Sequence, residues 1–269
     1  MSIFKVLIGA FAALGMSILV MPASAASDDY VPSAASAEDV RAANRELIAL
    51  RDQMQSKCIQ HDGRLQYIGA TNIQLVDCLL HRAPETHLLT ISSTGGEVEF
   101  AIWAASILQG AEMNLHVLGS CASSCANYLV PAADRVYIDR ISTIMVHGAP
   151  QPTVRAEVEE MLKSSGMQPS DPAFDEAVDS NLSRLNATVR LHQWFVTQHD
   201  IGPGYSDVRN IDTVSPDALL VVDPEVFRDC GPHTQSLVSQ DRYKEDVRRA
   251  YGDKPLVFLS DVPEYAPCE

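Results

Sequence analysis

Between residues 65 and 146 the chain switches repeatedly between two hydrophobic periods, and this restricts the fold more than any other feature. Runs of β-type residues at 65–69, 87–92, 115–119, 135–138 and 143–146 are interleaved with helix-type runs at 72–81, 97–109 and about 122–132. In the 97–109 run, Val98, Ile102, Ala105 and Leu108 recur at helical spacing and make one apolar stripe. Strand–helix–strand order at this spacing predicts βαβ units, hence an α/β domain with a mostly parallel sheet.

The flanks divide as follows. Residues 26–38 are small and polar and read as a flexible lead-in, followed to about residue 57 by a helix with Val40, Leu47, Ile48, Leu50 and Met54 on its apolar positions. Residues 153–200 are mostly helical, with a break at 166–169 and a long second helix over 174–199. Leu182, Leu185, Val189, Leu191 and Trp194 give that helix apolar surface, which packs either on another subunit or on the body of the domain. A small αβ portion occupies 208–240. The expected organisation is one domain over 58–240 with 153–200 inserted, and a tail over 241–269.

Residues 1–25 have the form of an export signal. Lys5 supplies a positive start, 6–21 are apolar, and Ala23-Ser24-Ala25 after Pro22 is a small-x-small cleavage site. An uncleaved anchor is the rival reading, since sixteen apolar residues lie near the lower limit for spanning a bilayer. Cleavage gives a mature chain of 26–269, exported and, in a bacterium, periplasmic or secreted. It has no stable membrane anchor. Twenty basic residues face thirty-five acidic ones, a net charge of -15. That balance argues against a nucleic-acid partner and against docking on anionic lipid.

Six cysteines follow the signal, an even count that suits disulfides in an oxidising compartment. Cys58 with Cys78 and Cys230 with Cys268 are the expected pairs, because each would pin a peripheral segment. Cys121 and Cys125 have C-x3-C spacing, for which zinc is the rival reading. No second ligand pair of suitable spacing follows, so neither a metal nor a cofactor is expected.

Three motifs carry chemistry. SSTGG (92–96) stands at a strand end where a helix is about to start, and paired glycines there let backbone N–H groups face an anion. SCASSCA (120–126) occupies the next strand-to-helix junction. A serine at a helix N-terminus sits where a developing oxyanion is favoured, although helix capping by Ser120, Ser123 or Ser124 is the commoner use of such a serine. IMVHG (144–148) ends an apolar strand on His147, a residue type that takes a serine's proton near neutral pH. A strand-end histidine can also be merely structural.

In this order, SSTGG, GSCASSCAN and IMVH resemble the ClpP/crotonase superfamily, and within it the Clp protease proteolytic subunit. That family shows S-x-GG, then G-x-x-A-S-x-(G/A), then M-I-H. The CASSC form with an export signal resembles periplasmic ClpP-like proteins of bacteria more closely still. The resemblance spans about residues 65–150, and 208–232 weakly. It implies a ClpP/crotonase-like βαβ spiral with a helical insertion after the histidine strand. It also implies Ser124 as nucleophile, His147 as general base, and the Gly96 and Cys125 N–H groups as oxyanion hole. The third triad member would be Asp217, with Asp223 next and helix capping as the rival role for Asp217. A Cys121–Cys125 disulfide would alter the helix turn that carries the serine.

The implied activity is that of an exported serine hydrolase, a peptidase acting through an acyl-enzyme on short or unfolded chains and assembled as a homo-oligomer. The alternative is a catalytically silent ClpP-like binding or assembly domain. Crotonase-type acyl-CoA chemistry is a third reading, disfavoured by export. The signal reading has a direct check. N-terminal sequencing of the exported protein should begin at Ala26, whereas a membrane-retained chain that still carries Lys5 contradicts it.

Overall fold

The computed structural model describes residues 31–199, 201, 205, 219–223, 226, 233–236, 240–252 and 256–262. Those from Pro32 onward belong to one unit. The 1–25 signal, Asp217, Cys230 and Cys268 lie outside the described residues.

Helix α1 (Ala37–Asp52) starts where Ser36 and Asp39 cap each other. The Asp39 N–H donates to Ser36 Oγ at 3.2 Å, and the Ser36 N–H donates to Asp39 Oδ2 at 3.0 Å. Such a cap is worth about 1 kcal/mol. Val40, Ala43 and Leu47, at i, i+3 and i+7, are buried. Strand β1 (Lys57–His61) then forms an antiparallel hairpin with β2 (Arg64–Ile68). All five β1 residues are exposed, so the strand carries no hydrophobic alternation. A Cys58–Cys78 disulfide ties it to α2 (Ile73–Leu80), the first of the two expected pairs.

From β2 onward the expected βαβ alternation is present: β3 (Leu88–Ser93), α3 (Val98–Gly110), β4 (Asn114–Ala122), a π-helical turn (Cys125–Leu129) running into α4 (Val130–Ala132), β5 (Arg135–Ile138) and β6 (Thr143–Val146). Strands β7 (Leu219–Val222), β8 (His233–Ser236) and β9 (Leu256–Phe258) complete the sheet. Its main path runs β1-β2-β3-β4-β6-β7-β9, with β5 and β8 branching from β4. The β1–β2 and β6–β7 pairings are antiparallel, and the other six among the described residues are parallel. This is the mixed α/β, mostly parallel architecture that the periodicity implied.

Strand β4 serves two directions. Leu115–Val117 pairs with β5, whereas Ser120–Ala122 pairs with β6. The bend between them falls at Gly119, whose φ is +102°. A Cβ there would lie 2.8 Å from Asn44 Oδ1 and 2.9 Å from Ser92 Oγ, so both the dihedral and the space call for glycine. The register against β3 shifts at the same level, between Ile91 and Ser93.

Helices α2 and α3 cover the sheet, burying Leu75, Leu79, Ile102, Ala105 and Leu108 against Leu89, Leu115 and Val117. Helices α5 (Arg155–Ser164) and α6 (Phe174–Gln198) form the expected helical insertion. Val158, Phe174 and Val178 make a small core of their own, against which Leu182 and Leu185 pack. Phe195 and the half-buried Leu191 join the main core. Most of the apolar surface of α6 is therefore used within the chain, and Trp194 stays half-exposed.

The expected tail is part of the domain. Helix α7 (Gln240–Tyr251) and β9 bury Tyr243, Val247 and Phe258 completely, and the Tyr243 hydroxyl donates to the Ser142 carbonyl at 2.8 Å. The helix is polar on every other face, so the short apolar stripe of Tyr243 and Val247 is easily missed. Among the described residues no helix is long and apolar enough to cross a membrane. Phe258→Ala should cost about 3–5 kcal/mol, read from the urea midpoint. A loss below about 1 kcal/mol would make 240–262 an appendage after all.

Candidate active site

Strands β3, β4 and β6 are parallel neighbours, so their carboxyl ends lie along one edge of the sheet. SSTGG and SCASSC run across the ends of β3 and β4, and the histidine directly follows β6. The sheet order is what brings three segments far apart in sequence into one site, as is usual for open parallel sheets.

At the end of β4 the chain turns sharply at Ser123, whose φ is +55°. An L-residue pays about 1–2 kcal/mol to sit in this left-handed region. The conformation is held from several sides. The Ser123 N–H donates to the Met145 carbonyl at 2.9 Å, and its own carbonyl accepts the Asn127 N–H at 2.8 Å. A disulfide joins Cys121, in the last turn of the strand, to Cys125 at the start of the π-turn, with Cα atoms 5.3 Å apart. It brackets Ala122, Ser123 and Ser124. Both cysteines are fully buried, and as a cystine they hold no zinc. Among the described residues no group of three or more side chains is placed to bind a metal ion.

The turn sends the two adjacent serines in opposite directions. Ser123 Oγ lies 2.5 Å from His147 Nε2. His147 Nδ1 lies 3.0 Å from the Gly148 carbonyl oxygen. A carbonyl can only accept, so Nδ1 carries a hydrogen, and in the neutral ring the Nε2 lone pair then faces the Ser123 hydroxyl. Ser124 points inward and is 2 % exposed. Its Oγ accepts the Gly96 N–H at 2.8 Å, donates to the Gly96 carbonyl at 3.2 Å and meets Thr71 Oγ1. Ser124 thereby fastens the glycine turn to the loop after β2, where Thr71 N–H donates to the Gly95 carbonyl at 3.0 Å.

The structure thus brings His147 to Ser123, one residue before the serine to which the family pattern was matched. Counted from Gly119, the pattern G-x-x-A-S reaches its serine at Ser123, and this count is the signal that was available in the sequence. The backbone donors shift with it. Gly96 N–H is already taken by Ser124 Oγ, and the amide directly after Ser123 belongs to Ser124 rather than Cys125. Ser124 and Cys125 supply the first amides of the helical segment, where N–H groups lack intrahelical acceptors and the dipole favours negative charge.

No carboxylate reaches His147 as a third triad member among the described residues. Asp217 is not among them. Asp223 is fully buried and accepts the Ser260 N–H at 3.2 Å. In the antiparallel β6–β7 register Leu220 faces Val146 and Val222 faces Ile144, which puts Asp223 at the opposite end of β6 from His147. The separation along the strand is roughly 13 Å.

A small cavity of about 130 Å³ opens beside the pair, walled by Val98, Asn127, Tyr128, Ala149 and Pro150. Burial pushes the Tyr128 phenol well above its usual range, so it stays protonated, 3.1 Å from His192 Nδ1. His116 belongs elsewhere. Its Nε2 contacts the buried Asp139 Oδ2 at 2.7 Å, while Asp139 Oδ1 accepts the Ala35 N–H at 2.7 Å, so the pair is satisfied.

No protein-family model and no curated protein matches the chain. Among solved structures, it is similar to an enoyl-CoA hydratase from Mycobacterium avium subsp. paratuberculosis K-10, with 13% identity over 54% of this chain and 84% of that one and a TM-score of 0.30. An enoyl-CoA hydratase from Bacillus halodurans matches with 9% identity over 56% and 87% and a TM-score of 0.29. A putative enoyl-CoA hydratase from Rhodopseudomonas palustris CGA009 gives 10%, 78% and 79%, and 0.33.

Gly95 tests the corner. It has φ +82°, and a Cβ on it would lie 2.5 Å from Ser123 Cβ and 2.6 Å from the Ala122 carbonyl oxygen. Gly95→Ala should destabilise the fold by at least about 2 kcal/mol in urea unfolding. Gly110→Ala, at a helix position with nothing within 4 Å, should be neutral or stabilising. Equal effects of the two would mean that the glycine turn does not press on Ser123.

Proposed function

We propose that the chain is an exported serine hydrolase in which Ser123 is the nucleophile and His147 the general base. The observation that carries this reading is the 2.5 Å contact between Ser123 Oγ and His147 Nε2, with the ring tautomer fixed by Gly148. As Ser123 Oγ attacks an acyl carbon, its proton passes to His147 Nε2. The negative charge that develops on the substrate oxygen is stabilised by the amides opening the helical segment. His147 then returns the proton to the leaving group, and a water molecule repeats the sequence to free the acyl group and restore Ser123.

The ClpP-like motif order supports a peptidase acting on short or unfolded chains, in a homo-oligomer, within the ClpP/crotonase superfamily. The two cystines among the described residues support the reading of an oxidising, extracytoplasmic location. A Ser–His pair in contact favours hydrolysis over acyl-CoA chemistry, which needs no serine nucleophile. One observation favours the silent-scaffold alternative. His147 Nδ1 is held by a neutral carbonyl, which stabilises an imidazolium less than a carboxylate does, so turnover should be slow.

The test is hydrolysis of p-nitrophenyl acetate and of unfolded casein by the mature chain. Ser123→Ala and His147→Ala should each lower the rate by about 1,000-fold or more. Ser124→Ala should cost stability, about 1–3 kcal/mol, because it leaves the Gly96 N–H without its acceptor, while the Ser123–His147 contact survives. Full turnover in Ser123→Ala would overturn the assignment.

A further inference from the structure

The cavity of about 130 Å³ beside Ser123 and His147 is far smaller than the roughly 300–1,000 Å³ of sites that take up a whole small molecule. What enters it is a few atoms of a larger substrate, the reacting group and its nearest substituents. Val98, Ala149 and Pro150 give it apolar walls. With one exception, the polar side chains in its lining are already committed. Ser123 Oγ faces His147 Nε2, and His147 Nδ1 donates to the Gly148 carbonyl. Ser124 Oγ is engaged with Gly96 and Thr71, and the Tyr128 hydroxyl with His192.

The exception is Asn127. The residue is 7 % exposed, and its Oδ1 is sealed from solvent with no hydrogen-bond partner among the described residues. The polar atom through which this side chain can address the cavity is therefore Nδ2. A buried carboxamide without a partner is costly to keep, and such an orphan calls for a reason in function. Its place relative to the nucleophile is fixed, because the Asn127 N–H donates to the Ser123 carbonyl at 2.8 Å. It also lies in the π-helical turn, an element that recurs at functional sites. A second observation points the same way. The Gly96 N–H, one of the two oxyanion donors that the motif order implies, is occupied by Ser124 Oγ at 2.8 Å. The site is one donor short, and Asn127 is the lining side chain with a donor to give.

We propose that Asn127 Nδ2 is an oxyanion donor, which hydrogen-bonds the oxygen of the carbonyl that Ser123 attacks; this rests on the Ser123–His147 reading for the reaction. It takes the place of the Gly96 amide beside the amides that open the helical segment. As the bond from Ser123 Oγ to the acyl carbon forms, the proton goes to His147 Nε2 and the carbonyl π pair moves onto oxygen, where Nδ2–H meets it. The pair returns as the bond to the leaving group breaks, and His147 gives that group its proton. Asn127 itself gains and loses nothing. Its hydrogen bond is stronger to the oxyanion than to the ground-state carbonyl, so it acts on kcat rather than on KM.

The first experiment compares p-nitrophenyl acetate hydrolysis by the mature chain, Asn127→Ala and Asn127→Leu, two replacements of different size in case one disturbs folding. In each folded variant kcat should fall at least about 100-fold with KM within about threefold of the parent's. The urea midpoint should scarcely move, since the side chain has no protein hydrogen bond to lose. A kcat within about threefold of the parent's, or a loss confined to KM, overturns the proposal and leaves the Ser123 assignment standing.

The second experiment needs no turnover: isotope-labelled Ser123→Ala is titrated with acetate, a carboxylate small enough for the cavity, and followed by NMR. The Asn127 side-chain amide signal is identified by its loss on adding Asn127→Leu. A saturable shift of that signal, with acetate binding weakened about tenfold or more by Asn127→Leu, supports the donor even if the parent hydrolyses nothing, in which case the hydrolase reading alone falls. An Asn127 signal that acetate leaves unmoved overturns the donor whatever the parent's activity.

Discussion

A single left-handed residue, Ser123, governs the arrangement of the site. Without its positive φ the chain would leave β4 with the next side chain on the wrong side of the strand end, and no hydroxyl would reach His147. Such a conformation persists only when its surroundings over-determine it. Here the surroundings are the Met145 carbonyl, the Asn127 amide, the flank of Gly95 and the Cys121–Cys125 bridge. Each comes from a different direction. Local strain is thus offset by contacts that also fix where β3, β4 and β6 end relative to one another.

The adjacent serine explains the rest of the corner. Ser124 contacts both the N–H and the carbonyl of Gly96 and meets Thr71, so it joins the glycine turn to the loop after β2. One serine faces a histidine at the surface, and its neighbour is spent on holding the backbone. The pair reads as one motif in the sequence and as two separate functions in the structure. The tautomer of His147 follows from an equally local contact, the Gly148 carbonyl, which sets which nitrogen can receive a proton.

Much of the fold was legible because hydrophobic period and strand length agree. Strands β5 and β6 occupy the residues read from the sequence, and the break at 166–169 separates α5 from α6 as expected. Strand β1 was not legible. Its five exposed residues show no alternation, and it is held by backbone pairing with β2 and by the Cys58–Cys78 bridge. Helix α7 looks like a tail in the sequence because Tyr243 and Val247 are too few to mark a period among so many charges, although both are fully buried. At the site, the three motifs and His147 were found from their order along the chain. The choice between Ser123 and Ser124 turns on the sign of one dihedral, which composition does not encode; only a strict count from Gly119 points to it. Asp223 shows the converse error, since a carboxylate near the right segment lies at the wrong end of β7 once the antiparallel register is known.

In this arrangement the hydroxyl that His147 would activate is that of Ser123. The most direct test is to treat the mature chain with a fluorophosphonate and locate the adduct by peptide mass mapping, with His147→Ala alongside. One adduct is expected, on Ser123, and it is lost in His147→Ala. An adduct on Ser124, or one on Ser123 that forms equally fast without His147, would contradict it.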